Sequence, residues 1–117
     1  MQLTIENTIP TEPASVAVVL IPGTTLDASN ARDFKTAVAP LITSGGRIVF
    51  DLSNLKFVDS SGLGALLSSL RQVGTAGGQL KLCGLNKPVR ALMELVRMHR
   101  VFEIFNTRAE ALRSFAE

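Results

Sequence analysis

The chain has 117 residues, with 12 Lys plus Arg against 10 Asp plus Glu, one His, one Cys and no Trp or Tyr. That length fits a single domain over 1–117, expected to bury roughly 65% of its unfolded surface on folding. A formal charge of +2, spread along the sequence, is too small for direct electrostatic binding of nucleic acid, and 46% apolar residues argue against disorder.

Gln2 to Glu6 alternates, with Leu3 and Ile5 on one face, and reads as a half-buried edge strand. Pro10-Thr11-Glu12-Pro13 breaks the chain, because each proline fixes φ and lacks an amide donor. Val16 to Ile21 follows as a β-branched run suited to a strand buried on both faces. It is the longest apolar run, and its six residues are far too few to span a membrane. The two strands predict a hairpin. From Ala28 the period becomes helical, with Ala31, Phe34, Val38, Leu41 and Ile42 on one side. Asp27 or Ser29 is placed to cap this helix, Pro40 to loosen its last turn, and Gly45-Gly46 to stop it.

Ile48 to Leu52 reads as a second buried strand and Phe57-Val58 as a very short one or its extension. A helix is expected from Ser60 to Val73, with Leu63, Leu66, Leu67, Leu70 and Val73 on one face and glycines 74, 77 and 78 as its stop. Leu80 to Cys83 is the next strand. Val89, Leu92, Met93 and Val96 then mark a helix with Asn86 as cap candidate and Pro88 in its first turn. Phe102 to Phe105 is a short strand. Thr107 with Glu110 has the spacing of a capping box for a last helix, with Ala109, Leu112 and Phe115 or Ala116 inward. Strands alternating with helices imply right-handed crossovers. The predicted class is α/β, a mixed sheet with an N-terminal antiparallel hairpin, then parallel strands joined by crossover helices.

In such a sheet the loops leaving the carboxyl ends of parallel strands share one rim, here Pro22 to Ser29, Asp59 to Gly62 and Leu85 to Pro88. Asp59-Ser60-Ser61-Gly62 lies between a strand and an apolar-faced helix, where free amides favour an added anion. On composition alone, ordinary capping by Asp59 or Ser60 is the simpler account. Catalytic readings fail on spacing. Gly62-Leu63-Gly64 lacks the rest of a nucleotide fingerprint, and Ser60 and Ser61 lack the flanking glycines of a nucleophile elbow. Ser53-Asn54-Leu55-Lys56 has an S-x-x-K spacing without its companion motifs. The lone His99 lies among Arg97, Met98 and Arg100, and the lone Cys83 reads as a core residue that permits no internal disulfide. No cluster of Cys, His and carboxylates appears, so neither a metal nor an organic cofactor is expected. No basic segment followed by an apolar stretch opens the chain, so the expectation is a small cytoplasmic domain with no membrane insertion.

The rim motif carries a resemblance. Leu55-Lys56-Phe57-Val58-Asp59-Ser60-Ser61-Gly62-Leu63-Gly64-Ala65-Leu66-Leu67 closely resembles the signature of STAS domains, especially bacterial anti-sigma-factor antagonists. Gly23-Thr24-Thr25-Leu26-Asp27-Ala28 is similar to the family's G-x-L-D segment, with two residues rather than one between Gly23 and Leu26. Residues 78–84 and 101–105 resemble its later strands, so the likeness covers nearly the whole chain in order. It implies a single STAS domain, not an enzyme, that sequesters an anti-sigma factor which is also a serine kinase. It further implies phosphorylation of Ser60 by that kinase, removal of the phosphate by a serine phosphatase, and partner contacts by Asp27, Asp59, Ser60, Ser61 and Gly62. Two alternatives stand beside it: a STAS subunit of a lipid-transport ABC complex or stress-sensing assembly, and, on weaker grounds, a small phosphotransfer enzyme using Ser60.

Overall fold

A computed structural model describes residues 1–11 and 14–116. Among these residues, seven strands and four α-helices follow one another as β1 (Thr4–Thr11), β2 (Ala14–Leu20), β3 (Thr25–Leu26), α1 (Ala31–Val38), β4 (Arg47–Asp51), β5 (Phe57–Val58), α2 (Ser60–Thr75), β6 (Gln79–Cys83), α3 (Lys87–Leu95), β7 (Glu103–Phe105) and α4 (Arg108–Ala116). Five strands form the main sheet in the order β1-β2-β4-β6-β7, and β3 pairs with β5 in a separate two-stranded ladder. β1 runs antiparallel to β2, whereas every later pair is parallel. The predicted class and hairpin are both found.

The hairpin departs from expectation at its tip. β1 continues through Pro10 to Thr11, into the segment read as a breaker, and its register shifts between Thr8 and Thr11. An edge strand tolerates a missing donor there. Glu12 and Pro13, the rest of that segment, lie outside the described residues. The Thr25-Leu26 ladder was not foreseen, since two residues carry no period.

Alternation sorts the central strands. Ile48 and Phe50 of β4, with Leu80 and Leu82 of β6, face the main core with Phe34 and Val38 of α1, Ala65, Leu66 and Val73 of α2, and Val89 and Met93 of α3. Val16, Val18, Val49 and Cys83 face the other way, onto Ala111 and Phe115 of α4. Thus the predicted inward position Ala109 is exposed and Ala111 is buried in its place. Pro40 changes the last turn, but by tightening rather than loosening it: α1 ends at Val38 and passes into a 3₁₀ turn over Ala39–Leu41. Among the described residues no helix is long and apolar enough to cross a membrane.

Candidate functional site

Because β4, β6 and β7 are parallel, their carboxyl ends share one pole, and α2 and α3 begin there. Side chains tie two of the loops expected on this rim to each other and the third to the stretch before β5. Asp59 is the central tie. Its Oδ1 accepts from the Gly62 amide at 2.9 Å, capping α2, and its Oδ2 accepts from the Ala28 amide at 3.2 Å, holding the neighbouring loop. Asn86 supplies the third connection. Its Nδ2 donates to the carbonyls of Ser53 at 2.9 Å and Leu55 at 2.8 Å, in the stretch that leads to β5. Asn86 stands at the start of α3 but makes no side-chain cap there, contrary to expectation.

Capping by Asp59 settles the duty of Ser60. Ser60 is the first residue of α2 and is exposed, as is Ser61, and neither hydroxyl bonds to another described residue. Their amides occupy the first helical turn, whose N–H groups the helix itself leaves unused. Gly62 is buried, and a Cβ there would collide with the Leu26 carbonyl oxygen and lie only 2.8 Å from the Leu26 carbonyl carbon. Glycine therefore lets the start of α2 lie directly on β3. The amide of Asp59 also donates to the Leu26 carbonyl at 3.2 Å. The serine pair stands on a start that is fixed from two sides.

Asp27 does not cap α1, and neither does Ser29. Asn30 occupies the cap position without a capping side-chain bond. Instead Asp27 Oδ1 accepts from the Ser29 amide at 2.9 Å and from its hydroxyl, closing a turn. Those hydrogen bonds, the hydroxyl's foremost, hold the Asp27 carboxyl below its usual range. Asn30 completes the loop by accepting from the Asp27 amide and donating to the Thr25 carbonyl, both at 2.9 Å.

Two features of the rim were not legible in the sequence. Asn86 looked like a cap, and only the fold shows which carbonyls it straps. Phe57 looked like part of a buried strand, yet it is 54% exposed. Its neighbour Val58 takes the inward side of this two-residue strand.

The buried charged groups lie across the sheet, against α4. Asp51 ends β4 beneath α4, where its Oδ2 accepts from Arg108 Nε at 2.7 Å and its Oδ1 from the Ser53 amide at 2.9 Å. Burial acts to raise the Asp51 carboxyl, but Arg108 and Ser53 together bring it below the usual range. Cys83, beside it, is pushed up to about 12 by burial and by the Asp51 charge, which makes it an inert core thiol. His99 is exposed. Among the described residues no group of three His, Cys, Asp or Glu is placed to hold a metal ion.

The family model for the STAS domain matches residues 8–111. An anti-sigma F factor antagonist of Paenibacillus polymyxa is 35% identical over 65 residues, 56% of either chain. A Thermotoga neapolitana protein assigned as an anti-sigma factor antagonist is 31% identical over 97 residues, 81% of this chain and 86% of that one. Among solved structures, an assigned anti-sigma factor antagonist of Thermotoga maritima superposes with a TM-score of 0.85 at 24% identity, covering 98% of this chain and 95% of the other. The Bacillus cell fate determinant SpoIIAA, solved in its phosphorylated form, has a TM-score of 0.63 at 19% identity over 96% of this chain and 99% of the other. With the rim motif in the place where the sequence put it and the family model covering most of its length, this chain belongs to the STAS domain family.

Proposed function

We propose that this chain is an anti-sigma factor antagonist that docks an anti-sigma factor kinase on its carboxyl rim and is released by phosphorylation of Ser60. One observation carries the reading: Ser60 is exposed at the first position of α2 while Asp59 does the capping. The hydroxyl is therefore spare, and modifying it removes no bond that holds the fold. The phosphorylated SpoIIAA structure supports the idea that this fold accepts a phosphate without being lost.

Phosphate adds about −1.5 to −2 charge at neutral pH and three acceptor oxygens. The N-terminus of α2 favours that charge, so the free protein tolerates it. At the centre of a contact it has the opposite effect, because a buried unpaired charge costs several kcal/mol and each ~1.4 kcal/mol is a tenfold loss of affinity. Direct obstruction is sufficient as a switch. Asp27, Asp59 and Ser61 share the contact with Ser60, Gly62 keeps the helix start in position, and a serine phosphatase resets the hydroxyl. The role is that of a cytoplasmic binding module rather than an enzyme. A Ser60 nucleophile needs a base, and both oxygens of the adjacent Asp59 are committed to amides.

The test is to incubate the protein with ATP and each anti-sigma factor kinase of the source genome, then locate the added mass. Phosphate on Ser60, with Ser60→Ala refractory and Ser60→Asp bound at least tenfold more weakly, is the expected result. Phosphate on Ser61 alone, or only outside 59–62, refutes the assignment.

A further inference from the structure

The described residues include six exposed large apolar side chains, and three of them, Leu95, Val96 and Val101, fall at the turn between α3 and β7. Leu95 is 80% exposed, so it stands out from the surface rather than lining a groove. Val96, expected inward with Val89 and Met93, is 40% exposed because α3 ends at Leu95. None of the three can turn in. Met98 packs against the core and Phe102 is buried, so the inward places of the turn are taken.

The same turn holds a backbone at odds with its side chain. Arg97 has a φ of 61°, left-handed, the one such value outside glycine among the described residues. Gly or Asn normally ends a helix in this way, because a longer side chain crowds the next carbonyl there. The fold does not use the arginine in return. The ion pairs of the described residues are made by Lys81 and Arg108, and Arg97 is exposed. Its charge is not isolated. Lys87 to Val101 carries four of the twelve Lys and Arg but one of the ten acids, so the rest of the chain is net negative. Glu103 pairs with Lys81 at 3.2 Å, which leaves Glu94 as the acid of the turn. Residues 43–46 and 76–78, which lead into β4 and β6 at the same pole, carry no charge.

We propose that this turn is a peripheral anchor for an anionic bilayer. Leu95, Val96 and Val101 enter the headgroup boundary without spanning it, while Arg97 and Arg100 meet lipid phosphates. Apolar burial and attraction to anionic lipid add at such a contact, and an anchor of this size binds reversibly. A protein partner suits the turn less well, since a stable contact buries about 800 Å² on each side. A second copy meeting it about a two-fold axis would set Arg97 and Arg100 against their own counterparts. α3 starts at the rim that holds Ser60, and its nine residues carry the turn about 13 Å towards the opposite pole. The anchored chain therefore keeps Ser60 turned away from the lipid, whatever the role of that serine.

The test is co-sedimentation of the full chain with vesicles of phosphatidylcholine, alone or with about 30% phosphatidylglycerol. Wild-type protein is expected to bind the anionic vesicles at least about tenfold more tightly, and about 0.5 M salt to remove most of that difference. Leu95→Ser is expected to weaken binding at least about fivefold and to leave the melting temperature within about 1 °C. Arg97→Gly is expected to weaken it about threefold without lowering the melting temperature, because glycine accepts the left-handed backbone. Arg32→Gln, an equal loss of charge in the first turn of α1 at the other pole, is expected to bind as the wild type does. No binding to anionic vesicles at low salt overturns the proposal, as does unchanged binding by Leu95→Ser. Equal weakening by Arg32→Gln and Arg97→Gly overturns it too, since net charge and not the turn would then be responsible. A dimer in solution that Leu95→Ser dissolves, without vesicle binding, assigns the turn to a second copy instead. If Arg97→Gly lowers the melting temperature, Arg100→Gln takes its place, with the same weakening expected and the same consequence if it is absent.

Discussion

The two faces of the sheet are held by different forces. On one, α1, α2 and α3 cover Ile48, Phe50 and Leu82, each at most 1% exposed, with no charged side chain in the cluster. On the other, α4 alone covers Val16, Val18 and Val49, and buried Asp51 and Lys81 lie among them. Strand alternation creates the contrast, since Asp51 and Phe50 are neighbours in β4 with opposite destinations. The helix that carries Ser60 belongs to the apolar face. Its position therefore does not depend on the protonation of any buried group, while pH and salt act mainly on α4. A phosphate placed on Ser60, as proposed, would meet a support that its charge does not loosen.

The largest effect expected from this contrast lies where α2 meets β3. Gly62→Ala sets a Cβ against the Leu26 carbonyl, a backbone group that cannot swing away. Overpacking of this kind typically costs 1–3 kcal/mol, and with backbone on the opposing side about 3 kcal/mol is expected. Urea denaturation measures it. A loss under about 1 kcal/mol would mean that the β3–β5 ladder yields, and the apolar side would be softer than claimed. The same substitution two residues on, at exposed Gly64, where an added Cβ would meet no atom within 4 Å, is expected to have the opposite sign.

The charged face is tested by Arg108→Ala. This removes the guanidinium from Asp51, whose side chain is 10% exposed, and also frees the exposed Glu6. Breaking a buried pair costs about 3–5 kcal/mol, but the Arg108 side chain is 36% exposed and solvent screens it, so about 2 kcal/mol is expected at pH 7. The pH dependence has a definite sign. In the wild type the Asp51 carboxyl is depressed, so its stabilisation is present above the unfolded value near 3.9 and is lost as pH falls through the lower folded value. Without Arg108, only Ser53 still opposes burial, so the carboxyl rises relative to the wild type, and the variant is penalised at neutral pH and relieved when Asp51 protonates. The gap between the proteins should therefore narrow steadily from pH 6 to pH 3. A constant gap would show that Arg108 acts through packing.

The sequence exposes the apolar face more readily than the charged one. Phe34, Leu66, Val73, Val89 and Met93 fall at helical spacing within their segments, and all are buried. The last helix is harder to phase. Small and half-polar residues give two nearly equal inward faces, and contact with Val18 and Val49 favours Ala111 over Ala109. The D-S-S-G stretch and the three-loop rim were legible because strand–helix alternation fixes where loops gather. Which of Asp59 and Ser60 caps was not, since both are good capping residues and the choice depends on the Ala28 amide, thirty-one residues away. Nor was the exposure of Phe57, because a two-residue strand has no period to show which side is buried.

Lys81→Met should have the smallest effect and gives the sharpest test of what the buried charge contributes. Lys81 Nζ lies 2.7 Å from Ser114 Oγ, 3.2 Å from Glu103 and 4.1 Å from the centre of the Phe115 ring. Methionine fills much the same volume and keeps the aromatic contact through sulfur. The partners left behind are not stranded: the Glu103 side chain is 65% exposed, and the Ser114 hydroxyl still donates to the Ala111 carbonyl at 2.6 Å. Against the lost cation–π attraction, about 0.5–2 kcal/mol, stands relief from holding an ammonium out of water. The two nearly cancel, so Lys81→Met is expected to change stability by less than about 1 kcal/mol, in contrast to Arg108→Ala, which strands a buried carboxylate. Urea melts at low and high salt would check this. A loss above about 2 kcal/mol, reduced by salt, would mean that the ammonium itself holds α4 down and that both charged contacts, not one, secure that face.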